Sequence, residues 1–258
     1  MNVLAVDTCL EPGSLALSSE DASSSSSGAG RPPSEPEAVA LPPGWRSGAL
    51  HEEIRQLLAR HGLTTANIDL YAVTAGPGAF TGVRLGLTAV KGLAEVHDKP
   101  IITVSTLEAL AFAVLDRVGA DAGHSSLVTR HLLLAPVLDA RRGQVFAAVY
   151  GVAQADVADL HPVIPESVCS LRSFLTQIQS AGLPAKGFRF CVTDEALLLP
   201  AMEEFGWTRD SLIRVSPQLA GTVARMAIAR FRQGKGIGAL AADANYVRAS
   251  DAELFWKE

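Results

Sequence analysis

The chain has 258 residues, 48% of them hydrophobic, and a mean hydropathy of +0.22, enough apolar material for one large core or two modest ones. Its net charge of -5 and pI near 5.7 argue against a domain that grips nucleic acid through its own phosphate contacts, since such domains are basic. Three scattered cysteines (Cys9, Cys169, Cys191) form no CxxC and indicate neither a disulfide framework nor a zinc site.

Val3 to Val6 is an apolar run ending in Asp7, and Gly13 to Leu17 is a second short strand. Ser18 to Pro43 carries five consecutive serines at 23 to 27, Gly28, Gly30 and prolines 32, 33, 36, 42 and 43, and reads as a flexible insertion in a turn between strands. Within it, Glu37 to Leu41 suits a short strand. Ala49 to His61 is predicted to be a helix with Leu50, Ile54, Leu57 and Leu58 on one face.

Leu70 to Thr74 follows as a buried strand, and Ala75-Gly76-Pro77-Gly78-Ala79-Phe80-Thr81-Gly82-Val83-Arg84 turns it into a helix running from Thr81 to Val96. A helix that starts after a glycine turn offers unpaired N–H groups and a positive dipole end to an anion. The alternative is a turn built for packing, because Gly82 and Gly86 lie one turn apart and would let another helix come close. Arg84, Thr88, Lys91 and Glu95 form one narrow polar stripe. The rest divides into two apolar sides, Val83, Leu87, Val90 and Ala94 on one, Leu85, Ala89, Leu93 and Val96 on the other. A helix on a sheet needs one, so the second should meet another helix, in this chain or in a partner.

Ile101 to Val104 is a strand, and Ser105 with Glu108 can form a capping box for a helix to about Val118. The second half opens as the first did. Leu132 to Leu138 ends in Asp139, turns through Gly143 and returns as a strand from Gln144 to Tyr150. Leu171 to Ile178 suggests a helix, Gly187 to Val192 and Ser211 to Val215 strands, and Ser216-Pro217 a cap for a last helix bearing Leu219, Val223, Ala227 and Phe231.

Two lobes that each open with a strand ending in aspartate resemble the actin-like superfamily that includes the sugar kinases (ASKHA fold). The fold class implied is α/β, two actin-like lobes, each a mixed sheet with flanking helices. The expected division is 1–118 and 119–258, with the last helix and tail packing back on the first lobe.

Leu4-Ala5-Val6-Asp7-Thr8, the run Gly76 to Arg84 with Lys91-Gly92-Leu93-Ala94, Asp139-Ala140-Arg141-Arg142-Gly143-Gln144-Val145 and, more weakly, Asn245-Tyr246-Val247-Arg248 resemble the TsaB family, also called YeaZ. The resemblance implies a non-catalytic partner of TsaD, with TsaE as an associated ATPase. The process is threonylcarbamoylation of adenosine in tRNAs that read codons starting with A. It implies contact with tRNA only through the complex. The broad apolar face of the second helix suggests a homodimer when alone. The lack of any apolar run near the ~20 residues of a membrane span suggests no membrane, and the cysteine usage fits a reducing cytoplasm. No cofactor is required, with weak ATP or ADP binding at most.

The same resemblance marks Asp7, Thr8, Gly76, Gly78, Thr81 and Asp139 as a vestigial phosphate site. It places a partner interface on the first two helices, at Leu50, Ile54, Leu57, Val83, Leu87, Val90 and Ala94. TsaD holds its metal with two histidines four apart, whereas here His51 is followed at the fourth place by Arg55, which cannot be a metal ligand. No metal site and no catalytic residue are therefore expected. The alternative, an active small-molecule kinase or ATPase of the superfamily, needs an adenosine turn in the second lobe, where Gly187 to Pro200 holds one glycine.

Overall fold

The structure is a computed structural model and describes residues 1–19, 35–45, 47–121, 132–152 and 160–247. The serine tract of the predicted insertion and Arg248 of the tail motif lie outside these residues.

The chain divides into two compact units. The first comprises Met1–Thr106 and Pro217–Ala244, and the second Leu107–Ser216 and Asn245–Glu258. Sequence reasoning placed one boundary near 118, with the last helix and tail packing back on the first lobe; the chain crosses at 106/107, 216/217 and 244/245.

The first unit contains β1 (Asn2–Asp7), β2 (Ser14–Ser19), β3 (Glu37–Ala40), α1 (Ser47–Arg60), β4 (Leu70–Thr74), α2 (Phe80–His97) and β5 (Ile101–Val104). Its sheet has the order β3-β2-β1-β4-β5, antiparallel through the first three strands and parallel through the last three. Apolar side chains cover both faces of β1, as its unbroken apolar run requires.

The two faces differ in side-chain size. Leu4, Val6, Leu15, Leu17, Tyr71 and Val73 project to one side and pack with Leu50, Ile54 and Leu57 of α1 and Val83, Leu87 and Val90 of α2. On the other side the register aligns Ala38, Ala16, Ala5 and Ala72 in a row across four strands. A helix, α6 (Ala220–Arg232), lies over β1, β2, β4 and β5. A row of alanines permits close approach, and a Cβ added at Gly221 would meet the Cβ of Ala38 at 3.5 Å. The start of α6 was expected to be capped by Ser216-Pro217. Helix begins at Ala220 instead, and its N–H donates to the hydroxyl of Ser14 on β2 at 3.0 Å. A cap drawn from 206 residues away leaves no local sequence signal.

The second apolar side of α2 is covered in part by the chain itself, over the short 3-10 helix Ala239–Ala241, while Val96 at its end stays exposed. Leu85 and Leu93 pack on the same core as Ile237, Ala239, Ala242 and Ala244, from the segment that follows α6. Lys91 fixes that segment by donating from Nζ to the carbonyl of Ala242 at 2.7 Å. Within this unit the family expectation for the interface also needs correction. Leu50, Ile54, Leu57, Val83, Leu87, Val90 and Ala94 are all buried in the unit's own core. Any surface offered to a partner must come from their outward neighbours.

The second unit contains α3 (Thr106–Asp121, from Leu107 onward), β6 (Leu133–Asp139), β7 (Gln144–Val152), β8 (Leu160–Ser170), α4 (Leu171–Ser180), β9 (Phe188–Val192), a short α5 (Leu199–Met202) and β10 (Leu212–Arg214). Its sheet order is β10-β9-β6-β7-β8. Read from the other edge this is third, second, first, fourth, fifth, the same order and the same antiparallel and parallel pairings as in the first unit. The apparent duplication in the sequence is a duplication of topology. Phe174, Leu175 and Ile178 of α4 pack with Phe188, Phe190 and Trp207, whose rings lie 4.8 to 5.0 Å apart. Sequence reasoning missed β8. It is an edge strand interrupted by Pro162 and Pro165, residues that usually demote a strand and are tolerated where one edge goes unpaired.

Candidate functional site

Asp7 ends β1 and is completely buried. Its Oδ1 accepts from the Thr74 hydroxyl at 2.8 Å and from the Cys9 N–H at 3.1 Å. Parallel pairing of Val6 with Val73 brings Thr74 beside it. Burial pushes the carboxyl up to about 6, against the pull of the Thr74 hydroxyl and the amides of Cys9 and Leu219. The Leu219 amide makes no hydrogen bond of ordinary geometry to Oδ2, which is buried without a partner among the described residues. A carboxyl in this position serves as an acceptor for its own turn.

The glycines of the motif face the same turn. A Cβ at Gly78 would lie 2.6 Å from the carbonyl oxygen of Cys9, one at Gly82 2.0 Å from that of Thr8, and one at Gly86 within 2.3 Å of the Thr8 hydroxyl. Thr8 Oγ1 donates to the carbonyl of Gly82, and the Ala79 N–H donates to the carbonyl of Cys9 at 3.0 Å. Gly76 takes φ of 101°, a conformation suited to glycine, and its carbonyl accepts from the Thr106 N–H at 2.8 Å. The glycines therefore admit the chain's own β1–β2 turn. The packing alternative holds, but the element that comes close is a strand end, not a helix.

Asp7, Thr8, Gly76, Gly78 and the exposed Thr81 thus come together at one end of the first sheet. Asp139 belongs to the second unit, where its Oδ1 accepts from the Arg141 N–H at 2.7 Å and its Oδ2 lies 3.5 Å from the Arg141 guanidinium. Cys9 and Thr74 complete the Asp7 cluster and were not singled out from sequence. The thiol of Cys9 is pushed up to about 12 by burial and by the neighbouring Asp7, which makes it inert.

The outward faces of α1 and α2 carry a different chemistry. On α1, Arg55 donates from Nε and Nη2 to Glu52 at 2.8 and 2.6 Å, and these bonds, with one from Gln56, hold the Glu52 carboxyl down at about 2. On α2, Phe80, Arg84, Thr88, Gly92 and Val96 stand four residues apart in one exposed row, with the Arg84 guanidinium 3.7 Å over the ring of Phe80. Val96 is 77% exposed, and a Cβ at Gly92 would meet nothing within 4 Å. Among the described residues no three His, Cys, Asp or Glu side chains form a metal cluster, and no helix is long and apolar enough to cross a membrane.

The family model described as "TsaD: tRNA N6-adenosine threonylcarbamoyltransferase" matches residues 47–196. The chain is 29% identical over 206 residues to the tRNA threonylcarbamoyladenosine biosynthesis protein TsaB of Bacillus subtilis, covering 80% of each protein. It is 31% identical over 150 residues to the TsaB of Escherichia coli, covering 58% of this chain and 55% of that protein. The fold matches a Pseudomonas aeruginosa crystal structure titled as similar to peptidase YEAZ, with a TM-score of 0.70, 24% identity, and coverage of 96% of this chain and 99% of that one. By the span of the family model, this chain belongs to the TsaD family, and its relatives place it on the TsaB (YeaZ) side of that family.

Proposed function

We propose that this chain is a non-catalytic partner of TsaD in forming threonylcarbamoyladenosine in tRNA. The observation that carries the reading is the closure of the Asp7 turn. The space beside the motif glycines is filled by Thr8 and Cys9, and the Asp7 carboxyl is fully buried. The Arg55–Glu52 pair, where a metal histidine would be needed, supports the same reading. The partner surface is the outward row of α2 from Phe80 to Val96, in which Thr88 and Gly92 admit close approach between two aromatic or aliphatic ends. In the absence of TsaD that row joins two copies of the chain as a homodimer. TsaE joins the assembly with TsaD, tRNA is met only within it, nucleotide binding to this chain is weak, and the setting is the cytoplasm.

Light scattering after gel filtration, with this protein alone and mixed with TsaD from the same organism, tests the reading. A species at the mass of one copy of each, formed at the expense of the homodimer, is the expected result. No complex with or without ATP, TsaE and tRNA would overturn it.

A further inference from the structure

Among the described residues, three large hydrophobic side chains are exposed in the first unit, Phe80 at 47%, Val96 at 77% and Leu240 at 92%. Phe80 and Val96 stand at the two ends of the exposed row on α2. Leu240 belongs to the short 3-10 helix Ala239–Ala241, in the segment laid against α2. Single apolar residues on a surface are ordinary, but three gathered on one helix and its cover form a patch.

The backbone that carries Leu240 is firmly held. Ile237 exchanges both of its main-chain hydrogen bonds with Ile101 of β5, at 2.8 and 2.9 Å. The Ala241 N–H donates to the carbonyl of Gly238 at 3.1 Å, and the Lys91 ammonium of α2 donates to the carbonyl of Ala242 at 2.7 Å. Ala239 and Ala242 are buried in the core, which leaves the leucine between them turned outward. A side chain presented on a rigid backbone loses little main-chain freedom when it docks.

The row on α2 is too narrow to hold a second chain by itself. From Phe80 to Val96 it runs about 24 Å at about 1.5 Å per residue and is about 10 Å wide, which gives roughly 250 Å². A stable interface takes about 800 Å² from each partner, so the surface must extend over an element that borders the helix. On α1 the outward groups Glu52, Arg55 and Gln56 are polar and bonded to one another, and charged side chains are depleted at interface cores. The segment after α6 offers Gly238, Leu240 and Ala241 instead, all exposed or half-buried and uncharged.

This surface is also complementary to itself. Leu240 is a knob, and the open space above Gly92 in the α2 row is a place to receive one. A two-fold dimer uses such a contact twice, each copy supplying both parts. We infer that Leu240 anchors the face on which two copies of this chain associate, packing against α2 of the second copy. The inference rests on the homodimer reading above and extends its surface from α2 to residues 238–241.

Sedimentation equilibrium of the full chain is the test, with Leu240→Ala, the conservative Leu240→Met, and Leu199→Ala as a control at an exposed leucine of the second unit. Because the contact occurs twice in each dimer, Leu240→Ala should raise the dimer dissociation constant about tenfold or more at an unchanged melting temperature. Leu240→Met and Leu199→Ala should stay near the wild type. Dimerisation of Leu240→Ala at wild-type strength would overturn the inference and leave the homodimer reading standing, whereas a wild type still monomeric at about 100 μM would overturn both. If the dimer is lost only together with the melting temperature, Leu240 acts through the fold and the inference fails. The same variants are titrated with TsaD. A Leu240→Ala chain that dimerises normally but no longer binds TsaD assigns the leucine to that partner and overturns the second-copy assignment.

Discussion

The hydroxyl of Thr8 donates to the carbonyl of Gly82 at 2.7 Å, joining the end of β1 to the first turn of α2. Two motifs separated by 74 residues are therefore halves of one joint. Their residue types follow from the closeness of the approach, since only glycine at 78, 82 and 86 leaves room for the Thr8–Cys9 turn.

Gly82→Ala should consequently be severely destabilising, by about 3 kcal/mol or more, because its Cβ would meet main chain that cannot rotate away. Gly92→Ala on the same helix should act in the opposite direction. Its Cβ enters open space, and removing a helical glycine contributes about 0.5 to 1 kcal/mol. Urea denaturation of the two variants beside the wild type checks the contrast. Equal effects at both positions would show that the joint is looser than the distances require.

Asp7 predicts a pH dependence of stability. Its carboxyl titrates near 6 in the folded chain and near 3.8 when exposed, so between those values the native state retains a proton that the unfolded state has released. Stability from this group is therefore greatest below about pH 4, falls as pH rises, and is lower by roughly 3 kcal/mol above pH 6, at 1.36 kcal/mol per pKa unit. Asp7→Asn keeps an acceptor for Thr74 and Cys9 but cannot ionise. The difference in unfolding free energy between wild type and variant, measured from pH 4 to 7, should shift in favour of the variant as pH rises. A difference that stays flat would mean that the carboxylate is solvated or paired.

Much of this was legible in the chain, for physical reasons that can be named. Continuous apolar runs such as Val3 to Val6 mark buried strands, and the repeat of strand, aspartate, glycine turn and strand marks the duplication, because both depend on local order. The function of the glycines was not legible, because what fills the space beside Gly82 is the carbonyl of Thr8, and only pairing of β1 with β4 brings the two together. The same holds for the Ser14 cap on α6 and for the cover that residues 237–244 give to α2. β8 was lost for the opposite reason. Its prolines obscure a strand whose one neighbour suffices.

The corrected position of the α2 apolar residues changes what a disruptive mutation means. Val90 is fully buried in the first unit's core, so Val90→Asp places an unpaired carboxylate among Leu87, Val73 and Leu57 and should unfold that unit, at a cost of several kcal/mol. A loss of pairing in that variant would say nothing about the surface. Gly92 is the informative position, since it is exposed in the row Phe80, Arg84, Thr88, Gly92, Val96 and has open space above it. Gly92→Arg adds a long charged side chain at no cost to the fold. If the row is where a second chain docks, the added bulk and the desolvation of its charge should weaken association by about 3 kcal/mol, or more than a hundredfold in dissociation constant. Sedimentation of this variant alone and with TsaD, together with its melting temperature, gives the result. A variant as stable as the wild type that no longer pairs locates the interface on α2, whereas one that pairs at wild-type strength removes that helix from the surface.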